Sequence, residues 1–235
     1  SALPEQVVHD AIFSAFNSAG QRCSALRVLC VQEEIEPRTL DLLKGYMEEL
    51  TIGDPRLLST DVGPCIDDPS RQTLAAHVER MAKEQRIVHR CALPESAEAG
   101  TFFAPTLVEI DDINALTEEQ FGPILPVVKF KCRHLDKMVE AVNGTGFGLT
   151  MGLHSRIDSR VAGVAANSRA GNLYVNRNMI GAVVGVQPFG GRGLSGTGPK
   201  AGGPHYVQRF GTEFTLSNNI SAVGGNASLL TLGSD

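Results

Sequence analysis

Several features that would assign a chain to a class at once are missing here. No apolar run approaches the ~20 residues needed to cross a bilayer, and no charged-then-apolar leader follows Ser1. The 21 Lys and Arg are outnumbered by 26 Asp and Glu, and no basic stripe breaks the resulting net charge of -5. That balance argues against a broad nucleic-acid footprint. Five cysteines, an odd number at irregular spacing, do not make a disulfide framework and suit a reducing compartment. C-x-x-C does not occur and the six histidines are scattered. His89 and Cys91 are near neighbours, but two ligands do not make a zinc site, so no metal is expected. Internal repeats and low-complexity tracts are lacking as well. The expectation is a cytoplasmic protein with no transmembrane segment and no nucleic-acid contact.

What remains is an ordinary globular composition, 42% hydrophobic and 20% charged over 235 residues, enough for one sizeable core. Val7, Val8, Ala11, Ile12, Ala15 and Phe16 recur at helical spacing, with Pro4 near the first turn. Leu26 to Val31 reads as a buried strand, and Pro37 opens a helix to about Leu50. Thr51 to Pro64 is loop. Asp68 and Pro69 read as an N-cap and first helical position of a helix to about Gln85. Ile87 to His89 and Pro126 to Phe130 are short strands. Leu135 to Val142 is predicted helical, Leu149 to Leu153 strand, Ile157 to Ser168 helical and Leu173 to Val175 strand. Helices alternating with short apolar strands predict an α/β fold, a mostly parallel twisted sheet with helices on both faces. Glycine and proline are too dense between Met179 and Pro204 for regular structure, and loops of that kind on a rigid scaffold often carry sites.

Cys23 is the most informative single residue. It lies in Phe16-Asn17-Ser18-Ala19-Gly20-Gln21-Arg22-Cys23-Ser24, between a helix and an apolar run. Gly20 lets backbone approach a substrate closely, and a turn here leaves N–H groups free to face a carbonyl oxygen under attack. The competing reading is a buried structural thiol, since free cysteine is among the most buried residue types. Thr117-Glu118-Glu119-Gln120 also has two readings, a capping box or a carboxylate aimed at vicinal hydroxyls. Gly191 to Gly196 fits G-x-G-x-x-G, but no helix can follow through Thr197 to Pro204, so it is not a dinucleotide fingerprint. His9 is expected to face solvent.

Phe16-x-x-x-Gly20-Gln21-x-Cys23 resembles the catalytic-cysteine signature of the aldehyde dehydrogenase superfamily. Glu119-Gln120-Phe121-Gly122-Pro123 is similar to that family's Glu-x-Phe-Gly-Pro motif. Pro188-Phe189-Gly190-Gly191 with Leu194-Ser195-Gly196 is similar to its late elements, in the family's order. The resemblance implies Cys23 as catalytic nucleophile, with its own N–H as an oxyanion donor. It implies NAD as cofactor, Glu119 on the ribose hydroxyls and Phe121 against nicotinamide. Ser24 and Met179 to Gly191 further resemble the branch oxidising glutamate γ-semialdehyde, the pyrroline-5-carboxylate dehydrogenases. There Ser24, Gly181 and Ala182 would anchor the substrate α-carboxylate and Phe189 would pack on its aliphatic middle. A backbone nest is suited to an anion.

The tail Gly224 to Leu230 resembles the end of the bifunctional proline-utilisation flavoenzymes, so FAD is implied only if a proline dehydrogenase domain precedes. The resemblance divides the chain into a catalytic domain, 1–205, and an oligomerisation tail, 206–235, in a homo-oligomer. The family's general base, a glutamate in Glu-x-Gly-Gly, has no counterpart in this sequence, and the cofactor-binding domain is expected to be absent and to act as a partner. The isolated segment is therefore expected not to turn over aldehyde with NAD, and its inter-domain face to be apolar. Two other readings stay open, another thiol enzyme on this scaffold (or one for another small carboxylated aldehyde) and a non-catalytic assembly module. NADH production by the isolated segment at the rate of an intact relative would contradict the expectation of inactivity.

Overall fold

The computed structural model describes residues 1–183 and 185–219. Helix α1, Pro4–Phe16, is followed by a tight turn, Asn17–Gly20, and strand β1, Leu29–Gln32. Then come α2, Glu36–Glu48, α3, Asp68–Glu84, and the strands β2, Arg86–Arg90, β3, Thr106–Ile110, and β4, Ile124–Phe130. Beyond them lie α4, Leu135–Gly144, β5, Phe147–Gly148, β6, Thr150–Leu153, α5, Asp158–Asn167, β7, Asn172–Val175, and the two-residue β8, Arg192–Gly193.

Strands β1, β4, β3 and β2 form one sheet in that order. β1 runs parallel to β4, and β4 to β3; β2 is antiparallel at the edge. Alternation along the strands divides the core in two. Leu107, Leu125 and Val127 face one way, onto Val8, Ile12 and Phe16 of α1 and Leu40 and Leu43 of α2. Val108, Ile110, Ile124 and Val128 face the other way, onto Leu74, Val78 and Met81 of α3. Helices therefore cover both faces, as the apolar strands require. β6 and β7 form a separate parallel pair.

Helix α1 links the two strand groups. His154, just past β6, pairs with Asp10 at 2.8 Å, both side chains largely buried. Ser14 accepts from the Leu26 N–H through its carbonyl oxygen, and its Oγ accepts from the Met179 N–H at 3.2 Å.

Some boundaries differ from those predicted, each for a physical reason. The first strand begins at Leu29 rather than Leu26, because the Leu26 N–H bonds back to the Ser14 carbonyl of α1 and the Arg27 side chain to the Gly20 carbonyl of the turn. The N-cap of α3 is Asp67, whose carboxylate accepts from the Ser70 N–H at 2.8 Å; Asp68 and Pro69 are its first two helical residues. Strand β3 is not predicted from sequence, since Glu109 interrupts its apolar run. Thr117 to Gln120 begins no helix, so the capping box is not formed, and Gln120 instead donates to Glu118 at 2.9 Å. The Met179–Pro204 stretch is mostly irregular, apart from β8 on β5 and one bridge, Phe189 to Ala201. His9 is solvent-facing as expected. The tail motif at 224–230 lies outside the described residues.

Replacing the cap should discriminate the two candidate positions. Asp67→Ala is expected to cost about 1 kcal/mol in urea unfolding, and Asp68→Ala about 0.5 kcal/mol or less, as for an exposed i,i+3 pair. The reverse order would restore Asp68 as the cap.

Candidate active site

Cys23 sits on the turn that leaves α1. Ser18, Ala19 and Gly20 all have positive φ, at 55°, 52° and 65°. Left-handed backbone is unfavourable for Ser and Ala, by roughly 1–2 kcal/mol each, so something must hold it. Gly20 packs directly on the backbone of Gly122, where an added Cβ would stand 2.2 Å from the Gly122 oxygen. Glycine is thus needed at position 20 for this approach, whereas a Cβ on Gly122 would meet the Leu74 side chain of α3 at 2.3 Å. The Gln21 amide donates to the Pro64 carbonyl at 3.2 Å and accepts from the Ile66 N–H at 2.7 Å, pinning the turn to the loop before α3.

The result is an exposed sulfur. Among the described residues the Cys23 N–H has no acceptor, whereas those of Gln21 and Ala25 are used within the turn. The other thiols differ. Burial pushes Cys30 up to about 12 and Cys91 up to about 11, and raises Cys65 as well. Ser24, next in the chain, is 7% exposed.

Glu119 and Phe121 reach this turn through a residue that the motifs do not mark. Arg27 donates from Nη1 to the Gly20 carbonyl at 2.6 Å and from Nη2 to the Arg22 carbonyl at 2.8 Å. Its Nε donates to Glu119 Oε1 at 3.1 Å, and its guanidinium lies 4.4 Å from the Phe121 ring centroid. Burial lowers the Arg27 pKa; Glu119 first, and the Cys23 thiolate after it, oppose that shift by favouring the cation. Arg27 takes one oxygen of Glu119, and the Phe121 side chain stays 45% exposed. A free carboxylate oxygen beside an open aromatic surface fits the ribose and nicotinamide end of a dinucleotide. Sequence reasoning misses Arg27 because it looks like the start of a strand; its signal is a lone cation at the head of an apolar run.

The glycine-rich loop is held by close backbone crossings. A Cβ on Gly171 would meet the Gly190 oxygen at 1.9 Å, and one on Gly191 the Ser195 oxygen at 2.4 Å. Asn172 donates from its amide to the Pro188 carbonyl at 3.0 Å and accepts from the Gly190 N–H, while Lys200 donates to the Gly171 carbonyl. Phe189 is thereby fixed, half-buried, opposite Ala201. Gly193 and Gly196 also lie against backbone, and no helix forms over residues 197–206. Arg177 donates to the Asn178 and Ile180 carbonyls and shapes the approach to Gly181, which has φ +75° and nothing within 4 Å of an added Cβ.

Met179, at the base of this loop, borders the same cleft as Cys23, a space of about 610 Å³ between β1 and β6. Gly181 is exposed and Ala182 half-buried. Among the described residues no hydrogen bond joins either to Cys23 or Ser24. No group of three or more His, Cys, Asp and Glu among the described residues is placed to hold a metal ion.

A family model described as the aldehyde dehydrogenase family matches residues 2–214. The bifunctional protein PutA of Klebsiella aerogenes is 54% identical over 215 residues, covering 89% of this chain and 16% of that protein. The 1-pyrroline-5-carboxylate dehydrogenase of Bacillus subtilis (strain 168) is 34% identical over 198 residues, covering 83% of this chain and 38% of that protein. Among solved structures, a point mutant of Bradyrhizobium japonicum proline utilization A superposes with a TM-score of 0.86 at 54% identity, over 90% of this chain and 21% of that one. A point mutant of Thermus thermophilus 1-pyrroline-5-carboxylate dehydrogenase gives 0.81 at 31%, over 89% of this chain and 40% of that one. The chain thus spans well under half the length of these relatives.

The thiols should report their surroundings directly. At pH 7 an alkylating reagent is expected to label Cys23 first and Cys30 and Cys91 last, because only the thiolate reacts. Raised pKa values mean that the rates at Cys30 and Cys91 climb only as pH approaches about 12 and about 11. Peptide mapping that finds Cys30 labelled as fast as Cys23 would contradict the assignment.

Proposed function

The chain belongs to the aldehyde dehydrogenase family, and from that premise we propose that it is the nucleophile-bearing part of an enzyme oxidising L-glutamate γ-semialdehyde to glutamate in proline catabolism. The observation that carries the reading is an exposed cysteine on a strained turn, joined through one arginine to the carboxylate and aromatic ring of the second motif. The names of the relatives support the substrate, one being a 1-pyrroline-5-carboxylate dehydrogenase and another bifunctional.

The chemistry starts at sulfur. The Cys23 thiolate adds to the aldehyde carbon, and the former carbonyl oxygen takes the negative charge. The unused Cys23 N–H is available as a donor to that oxygen, a contact worth about 3 kcal/mol in comparable sites. NAD, when bound, supplies the two-electron oxidant that turns the thiohemiacetal into a thioester. Glu119 and Phe121 would hold its nicotinamide-ribose end, and residues outside this chain would hold the rest. Water then releases the acid and returns the thiolate. The glutamate base that the family uses stands in a Glu-x-Gly-Gly segment, which this sequence does not contain.

Ser24, Gly181 and Ala182 would receive the α-carboxylate, and Phe189 the methylenes. Gly181 suits this because its left-handed backbone leaves room for an anion beside its N–H. The 206–235 segment would serve contacts between copies. FAD belongs to a proline dehydrogenase domain where one precedes the segment. The described residues include no helix long and apolar enough to cross a membrane. All five cysteines are unpaired, which suits a reducing, cytoplasmic compartment.

In the full-length enzyme, Cys23→Ala should abolish NADH formation while leaving the melting temperature within a few degrees. An aldehyde of equal length lacking the carboxylate should show kcat/KM lower by about a hundredfold, since the anchoring donors would be left unpaired. Retained activity in the first case, or equal kcat/KM in the second, would defeat the corresponding part of the reading.

A further inference from the structure

Four groups from two distant segments converge on the guanidinium of Arg27. The carbonyls of Gly20 and Arg22 belong to the turn that carries Cys23, and Glu119 and Phe121 belong to the segment assigned to the cofactor. We propose that Arg27 is a positioning residue that locks the nucleophile turn and the cofactor-contacting pair into one unit. Thiol reactivity and cofactor affinity are then coupled through a single side chain. This rests on the reading of Cys23 as nucleophile and of Glu119 and Phe121 as cofactor contacts.

The chemistry requires arginine rather than cationic charge alone. Nε, Nη1 and Nη2 each serve a different acceptor in one plane, while the face of that plane rests against an aromatic ring. A lysine ammonium is a point charge on a flexible stem and cannot fill all four roles. Its half-buried position removes water that would otherwise compete for those acceptors. Because Arg27 uses only Oε1, Glu119 is oriented without being consumed. The charged groups around Cys23 are Arg27, Glu119 bound to it, and Arg22, whose Nε is turned onto Ser18 Oγ at 2.9 Å. Arg27 is thus both the clamp on the turn and the cation set beside Cys23.

The test uses Arg27→Met, Arg27→Lys and Glu119→Gln in the full-length enzyme. Readouts are kcat, the KM of NAD and of aldehyde, and the pH profile of Cys23 alkylation. Arg27→Met should raise KM for NAD about tenfold, lower kcat about ten- to a hundredfold, and move the alkylation profile to higher pH. The KM of aldehyde should change much less. Arg27→Lys should recover the alkylation profile but not KM for NAD, which keeps the test decisive if the methionine variant fails to fold. Glu119→Gln should raise KM for NAD with the alkylation profile unmoved, and its effect should be less than additive with that of Arg27→Met. Wild-type KM for NAD in Arg27→Lys, or loss of melting temperature as the only change in Arg27→Met, would overturn the proposal. If Cys23→Ala kept its activity, the underlying assignment would fail instead, so the two failures are distinguishable.

Discussion

Three consecutive residues, Ser18, Ala19 and Gly20, hold positive φ two residues ahead of Cys23, and the site is arranged around keeping them there. Two of the three carry a steric penalty of roughly 1–2 kcal/mol each for a conformation that side chains avoid. Hydrogen bonds to a charged group contribute about 1.5–3 kcal/mol each, so the two from Arg27 to the Gly20 and Arg22 carbonyls are of the size required. The Gln21 amide adds two more bonds, to Pro64 and Ile66. The strain turns the chain sharply off a buried helix and leaves the sulfur outside the core.

The same turn explains why motifs so far apart in sequence recur together. Gly20 lies on the Gly122 backbone and so tolerates no side chain, while a Cβ on Gly122 would meet the Leu74 side chain of α3; the contact brings Phe121 and Glu119 within reach of Arg27. On the other side, Ser14 binds both Leu26 and Met179, which ties the turn to the base of the glycine-rich loop. That loop is itself a set of close crossings, Gly171 on Gly190 and Gly191 on Ser195, with Asn172 and Lys200 as braces. The glycines serve steric clearance between backbones. A phosphate cradle would have needed a helix opening at Gly196, and residues 197–206 form none.

Much of this is legible before any coordinates. Helical spacing places α1, α2, α3, α4 and α5 to within a few residues, because each has one apolar face set against a sheet or a neighbouring helix. The short motifs single out Cys23 and the Glu119–Phe121 pair, which the structure joins through Arg27. Less legible are features set by long-range pairing. Strand β3 hides behind Glu109, which looks out of place in an apolar run until Lys129 and Arg86 are seen beside it at 2.9 Å. Asp67 and Asp68 are equally good caps by composition, and only backbone geometry separates them. Arg27 is the largest omission, since a cation that reaches back to its own turn and across to residue 119 leaves no periodic trace.

Every step of the proposed chemistry depends on a covalent bond forming at one sulfur. The full-length enzyme can be mixed with glutamate γ-semialdehyde and NAD, quenched in acid during turnover, and digested with trypsin for mass spectrometry. A γ-glutamyl group carried by the peptide Cys23–Arg27, and by no other cysteine peptide, is the predicted result. NADH produced while that peptide stays unmodified and the acyl group is found on Cys65, Cys91 or Cys132 would contradict it.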